Sequence, residues 1–406
     1  MITAVIGLQW GDEGKGKIID YLSKDFDIVA RFQGGPNAGH TIKIKDEEFI
    51  FHQLPSGLFN ENIKGVIGAG VVIDLERLVR EIEMLENRIG KKLEKDRLLI
   101  DGRATLILDF HRWLDYWEEE LQSGVGSTRR GIAPSYKDRY LRKAVRLGDI
   151  DKREFREKLR ELVEYNNQVL AARYGKPPFD FNLIYKKIMM FWDRIRDYVG
   201  DVVHFMMKSR YKNILLEGAQ GVLLDIFFGT YPFVTSSHTH IGGALVGLGV
   251  RIEDIKRIIG VCKAYTTRVG KGPFPTEIKG ELAKELRDIG GEYGATTRRP
   301  RRVGWLDIPL LRYSTFITSA TEIFLTKIDV LERIKKVKIG IKYKLGNKIM
   351  DFPPYSIEDW FDLKVLYEEM EFDEKEYVKL IEKNVGIKVS MISCGKEREK
   401  IREPKR

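Results

Sequence analysis

The chain has 406 residues, 43% of them hydrophobic and 11% aromatic, which is enough to bury a core and excludes a disordered tail protein. Lys and Arg number 70 against 60 Asp and Glu, and the resulting net charge of +10 favours anionic partners, either nucleotides or nucleic acid. No apolar run approaches the ~18 residues of a membrane span, the start Met1–Ile6 leads us to expect no export signal, and two cysteines, Cys262 and Cys394, are too few for a disulfide framework, so a cytoplasmic protein is expected.

Strand-like and helix-like runs alternate along the chain. Ile2–Ile6 is apolar and ends at Gly7; Asp27–Phe32 reads as a second strand and Gly65–Ile73 as a third. Asp74 caps a predicted helix whose apolar positions Leu75, Leu78, Val79, Ile82 and Leu85 fall on one face. Phe155, Leu159, Leu162, Val163, Val169 and Leu170 mark another helix, and Ile184 to Tyr198 a third with Phe191 and Trp192 as core. Ile214–Leu216, Ile258–Ala264, Ile323–Leu325 and Val389–Ile392 are further buried strands, and the charged Glu397–Arg406 tail reads as solvated. Strands separated by helices predict an α/β fold with a large, mostly parallel central sheet. Without a linker or repeat, residues 1–406 read as a single domain.

The first strand leads into Gly11-Asp12-Glu13-Gly14-Lys15-Gly16-Lys17-Ile18, and Ile18, Ile19 and Leu22 open a helix. Gly11, Gly16 and Lys17 fit the G-x4-G-K frame of a phosphate-binding loop, where backbone N–H groups close on phosphate oxygens at a helix N-terminus. A plain Gly-rich turn is the bland alternative; the interleaved lysines favour phosphate. The Ser or Thr that would follow the lysine and bind Mg²⁺ is Ile18, which leaves Asp12 as the nearest metal-directed oxygen. A second loop, Gly34-Gly35-Pro36-Asn37-Ala38-Gly39-His40-Thr41, follows the second strand, so both loops can line one cleft beyond the strands' carboxyl ends. His40 can exchange a proton with a reacting oxygen near neutral pH. His52, His111 and His204 read as structural, and His238 and His240 have no evident role.

These loops closely resemble those of adenylosuccinate synthetases. The resemblance continues through Leu216-Glu217-Gly218-Ala219-Gln220-Gly221, Gly229–Ser237, Lys263–Gly270, Gly294–Thr297, Gly304–Asp307 and Leu325–Asp329, so it covers nearly the whole chain. It implies a ligase on a sheet related to GTP-binding P-loop proteins. IMP, L-aspartate and GTP would give adenylosuccinate, GDP and phosphate through a 6-phosphoryl intermediate, in a homodimer with one Mg²⁺ per subunit, and with neither nucleic acid nor membrane as partner.

Residue by residue, the resemblance makes Asp12 the general base and His40 the acid. Gly11, Asp12, Glu13, Gly14, Lys15, Gly16, Lys17, Gly39, His40, Thr41 and Arg301 match phosphate and GTP contacts. Lys327, Ile328 and Asp329 match the guanine-reading segment, and Ser393, Cys394 and Gly395 a second wall of the base pocket. IMP contacts are implied for Asp12 to Lys15, Asn37, Ala38, Gly39, His40, Thr128, Gln220, Thr235 and Arg299, with Arg142 reaching in from the partner subunit. Ala295, Thr296, Thr297, Arg298, Arg299, Pro300 and Arg301 match the aspartate loop; Asp12 and the Gly39 carbonyl match Mg²⁺ ligands. Arg298 and Arg129 stand where the family usually has Gly. For Asp329 an ordinary helix N-cap is the plain alternative. A nucleic-acid patch is the alternative for Arg298–Arg302, although the flanking motifs count against it. A switch GTPase is disfavoured by Ile18 and by the long insert before Asp329.

Overall fold

The computed structural model describes residues 1–44, 47–121, 124–294, 300–395 and 397–405. Among them, ten strands form one sheet: β1 (Ile2–Gly7), β2 (Ile28–Arg31), β3 (Lys64–Ile67), β4 (Leu98–Asp101), β5 (Val199–Gly200), β6 (Ile214–Gly221), β7 (Ile255–Lys263), β8 (Glu322–Thr326), β9 (Val389–Ser393) and β10 (Ile401–Arg402). Their spatial order is β10-β9-β8-β7-β1-β6-β2-β3-β4-β5, and every neighbouring pair is parallel except β9 with β10. The first strand is therefore central, flanked by two strands from far along the chain. Parallel strands need both faces covered, and alternate residues of β1 supply the two faces. Ala4 and Ile6 pack with Ala244 and Leu248, whereas Val5 packs with Ile18, Ile19 and Leu22 of the helix Lys15–Ser23.

The helix capped by Asp74 runs Leu75–Ile89, with the Asp74 side chain accepting from Arg77 N at 3.2 Å. Its apolar stripe joins the helices Phe155–Tyr174 and Phe181–Ile195 in one large apolar cluster.

Three expectations need correction. Gly65–Ile73 is not one strand: β3 ends at Ile67, and Val72–Ile73 pairs separately with Thr105–Leu106. Gly68 N makes the last ladder bond, to Arg31 O, but Gly70 N bonds to Gly247 O, and a Cβ on Gly70 would lie 2.7 Å from Gly247 Cα, so the glycines let the chain turn out of the sheet. The helix expected to reach Tyr198 tightens into a 3₁₀ turn at Arg196–Tyr198. The tail is docked rather than solvated: Ile401–Arg402 pairs with β9, Arg398 Nε bonds Asp20 Oδ2 at 2.8 Å, and Arg402 Nη1 bonds Glu374 Oε1 at 2.7 Å.

Candidate active site

The carboxyl ends of β1, β2, β6, β7, β8 and β9 open on one edge of the sheet, and each carries a loop expected to bind ligand. This is where parallel α/β sheets place their sites. Beyond β1 the chain turns through Gly11 (φ 85°) and Gly14 (φ 92°) into the helix Lys15–Ser23, and Asp12 also takes a positive φ of 60°.

Two neighbouring carboxylates then have different fates. Glu13 is fully buried; its Oε1 accepts from Gln9 N at 3.0 Å and Gly11 N at 2.9 Å, and its Oε2 from Lys15 Nζ at 2.6 Å. It fits because Gly7 has no side chain: a Cβ there would stand 2.5 Å from Glu13 Oε2. The Glu13 side chain is thus committed to holding the loop and its carbonyl accepts from Thr326 Oγ1 at 2.8 Å, which leaves the backbone N–H for ligands. The Asp12 side chain is 38% exposed at the rim, with Oδ2 2.7 Å from Arg301 Nε.

Lys17, the lysine of the G-x4-G-K frame, turns towards the last loop, donating to Cys394 O at 3.0 Å and Lys400 O at 3.3 Å. Burial lowers its pKa to about 8.

Gly16 brings the second loop against the first: a Cβ there would lie 2.9 Å from His40 Cβ. The His40 ring is buried, and its Nδ1 is hydrogen-bonded to Glu217 Oε1. Ser56 clamps the same carboxylate, its N donating to Oε2 at 2.8 Å and its hydroxyl to Oε1 at 2.6 Å. Buried Arg31 contributes positive charge beside Glu217. Burial lowers the His40 pKa and the Glu217 carboxylate opposes that shift, so Nδ1 holds the proton and Nε2 remains for a ligand. Glu217, Ser56 and Arg31 were not singled out from sequence; the one signal was a carboxylate at a strand's end within the Leu216–Gly221 motif.

Several residues expected at IMP converge. Asn37 Nδ2 donates to Thr235 Oγ1 at 3.2 Å. A Cβ on Gly34 would sit 3.2 Å from Gln220 Oε1 and 3.7 Å from Asn37 Oδ1, and one on Gly11 would sit 3.7 Å from Gln220 Cα. Both polar atoms of the Gln220 side chain are buried without a hydrogen-bond partner among the described residues. Ala38 is buried, whereas Gly39 and Thr128 are exposed. The loop bearing Thr128 is held by Asp115, which takes Ser127 Oγ at 2.5 Å and Gly131 N at 2.8 Å. In it Arg129 adopts φ 57°, a conformation that favours glycine, while its side chain pairs with Glu120 at 2.6 Å. Arg142 is exposed just beyond the helix Ile132–Tyr140 and has no side-chain partner among the described residues.

Where guanine contacts were expected, Lys327 (φ 63°) is the N-cap of the helix Ile328–Ile334, so the simple cap reading of Asp329 fails: that residue lies inside the first turn. Asp329 Oδ2 accepts from Gly395 N at 3.2 Å, and Oδ1 is buried without a hydrogen-bond partner among the described residues. Ile328 and Ser393 are buried, and Cys394 N bonds Lys400 O at 2.9 Å.

Ala295, Thr296, Thr297, Arg298 and Arg299 lie outside the described residues. Pro300 bridges to Tyr293, and Arg301 Nη1 bonds Glu292 Oε2 at 2.9 Å. Glu292, also not singled out, binds Lys263 Nζ at 2.8 Å and the Tyr265 hydroxyl at 2.7 Å as well. Burial alone would raise its pKa, but Lys263 and Arg301 hold it at about 2. Arg301 thus joins a buried anion to the rim carboxylate of Asp12.

A model of the adenylosuccinate synthetase family matches residues 4–402. The chain is 42% identical to the adenylosuccinate synthetase of Caldicellulosiruptor bescii and 43% identical to that of Caldanaerobacter subterraneus, with 98% of each chain covered in both comparisons. It also superimposes on a fully ligated adenylosuccinate synthetase from Plasmodium falciparum with a TM-score of 0.93 and 35% identity, over 99% of both chains.

Proposed function

The chain belongs to the adenylosuccinate synthetase family, and from that premise we propose how its own residues carry the reaction. That reaction is the GTP- and Mg²⁺-dependent ligation of IMP and L-aspartate to adenylosuccinate, GDP and phosphate, a C–N bond-forming step of AMP synthesis. The observation that carries the residue assignment is the division between the two loop carboxylates: Glu13 is spent on backbone N–H groups, while Asp12 stands at the rim.

Asp12 takes the N1 proton of IMP, and the electron pair moves to the 6-oxygen. That oxygen forms a bond to the γ-phosphorus as the bond to the β–γ bridging oxygen breaks, leaving GDP. His40, oriented through Nδ1 by Glu217, presents Nε2 to the transferring group, whose negative charge raises the ring's proton affinity. Lys15 adds positive charge beneath the loop. The aspartate amine then bonds to C6 and phosphate departs with the former 6-oxygen. Arg301, released from Asp12, takes two oxygens of a carboxylate or phosphate in bidentate fashion.

Asp12 and the Gly39 carbonyl would hold Mg²⁺ through oxygen donors only, which suits that ion, and Ile18 offers no hydroxyl in their place. When bound, the ion would neutralise phosphate charge. Asp329 reads guanine through its free Oδ1, with Gly395 beside it. Gln220, Asn37, Thr235 and Thr128 hold IMP, and the loop 295–301 holds aspartate.

We propose a homodimer in which Arg142 completes the partner's IMP site. Exposed Tyr140 and Leu141 beside it support that reading. The ligand loops that follow β1, β2, β6, β8 and β9 all leave one edge of one sheet, which supports treating residues 1–406 as one domain. No helix among the described residues is long and apolar enough to cross a membrane, which is compatible with a cytoplasmic enzyme.

Phosphate release from GTP tests the function. It should require IMP and aspartate together; release that persists when either is omitted would favour a simple GTPase.

A further inference from the structure

Asp225, His238 and His240 form a cluster that the ligation chemistry does not use. Their ligand atoms all lie within 4.8 Å of one another. Asp225 is fully buried; Oδ1 accepts from Phe227 N at 2.9 Å and Phe228 N at 3.1 Å, and Oδ2 from Thr239 N at 2.7 Å. His238 Nδ1 and His240 Nε2 face that same Oδ2 at 3.7 and 3.8 Å. These gaps are too long for hydrogen bonds. His238 Nδ1 is buried with no hydrogen-bond partner among the described residues. The rings are held edge-on, His238 against Phe227 with centroids 4.8 Å apart and His240 against Phe228 at 5.4 Å.

We propose that Asp225, His238 and His240 form a binding site for a divalent transition cation of the Zn²⁺, Co²⁺ and Ni²⁺ class. Metal–ligand bonds of about 2.0–2.2 Å in a tetrahedral arrangement set the ligand atoms roughly 3.4 Å apart, so the 3.7 and 3.8 Å gaps to Asp225 Oδ2 close with small shifts, and the two imidazole nitrogens, within 4.8 Å of each other, close as the His240 ring turns. Two imidazoles and one carboxylate select these ions over Mg²⁺ and Ca²⁺, which take oxygen.

One rearrangement is required. His240 Nδ1 accepts from Gly242 N at 3.1 Å, which places the ring proton on Nε2 in the metal-free protein. Binding through Nε2 moves that proton to Nδ1 and turns the ring off Gly242. The bound ion would tie Asp225 to the far end of the segment that carries Thr235.

The test uses full-length, tag-free, chelator-treated protein titrated calorimetrically with Zn²⁺ in excess Mg²⁺. One tight equivalent per chain is expected, weakened at least tenfold in the His238→Asn/His240→Asn double variant. Asn at 240 retains an N-cap acceptor for Gly242, and the His238→Asn single variant, which leaves that cap untouched, should show the same loss. Co²⁺ added to the parent should give the visible bands of a four- or five-coordinate site, and the variants should lack them. A parent with no tight equivalent, variants that bind as tightly as the parent, or displacement of Zn²⁺ by Mg²⁺ would each overturn the proposal.

Discussion

Glu217 fixes His40 from the strand next to β2: its carboxylate accepts a hydrogen bond from Nδ1 of a residue 177 positions earlier while Ser56 clamps both its oxygens. In the proposed mechanism Glu217 is thus a positioning residue, acting on the phosphoryl group only through the His40 ring. Glu217→Gln should lower kcat by roughly 10²-fold or more, in the range of general acid–base contributions, with the KM for GTP little changed. It should also shift the acidic limb of the pH–rate profile, because the carboxylate no longer supports the imidazolium. An unchanged profile with a lowered melting temperature would mean that Glu217 serves packing alone.

The proposed reading of the base rests on Asp329. Guanine offers two donors, N1–H and the 2-amino group, to a carboxylate; xanthine replaces the amine with an acceptor oxygen, which suits the mixed donor and acceptor of Asn. Asp329→Asn should therefore lose at least about tenfold in GTP affinity, since a hydrogen bond to a charged group contributes roughly 1.5–3 kcal/mol, and should gain in use of XTP. Competition of GTP against XTP at saturating IMP and aspartate decides it, and an unchanged preference rejects Asp329 as the reader.

The dimer can be tested by complementation. Arg142→Leu should weaken IMP binding and spare GTP. Mixed with Asp12→Asn protein, it should recover part of the activity, because one site of the mixed dimer receives both intact residues. No recovery after confirmed subunit exchange would place Arg142 outside the partner's site.

Asp307 makes a prediction about stability. Burial pushes its pKa up to about 7, Oδ1 holds the Tyr343 hydroxyl at 2.6 Å, and Oδ2 has no hydrogen-bond partner among the described residues. A folded pKa above the unfolded value means that the native state keeps a proton the unfolded chain releases. The stability this contributes is full below the unfolded pKa and falls as pH rises to about 7. Asp307→Asn has no such titration, so its stability relative to the parent should improve by on the order of 2 kcal/mol between about pH 5 and pH 8. Comparing the two pH values cancels the constant penalty of burying the amide. Parallel unfolding curves with no pH-dependent difference would contradict it.

The contiguous parts of the site were legible in the sequence. Gly11–Lys17, Gly34–Thr41 and Lys327–Asp329 each lie on one loop at a strand's end, and local residue order encodes them. The supporting shell was not legible: His40 to Glu217 and Lys263 to Glu292 are contacts across 177 and 29 residues, which no local pattern reports. Composition misled at the tail, where Arg398 and Arg402 look solvated until Asp20 and Glu374 are seen opposite them. Periodicity ran Gly65–Ile73 together because its glycines turn the chain through contacts with Phe32 and Gly247, remote in sequence.

The central claim is that the phosphate loop activates the 6-oxygen of IMP by phosphorylating it. IMP carrying a heavy-oxygen label at position 6 tests this directly when incubated with GTP, aspartate and Mg²⁺, with the released phosphate weighed by mass spectrometry. The account predicts one labelled oxygen in every phosphate formed, and neither product nor labelled phosphate from Asp12→Asn. Adenylosuccinate accompanied by unlabelled phosphate would contradict it.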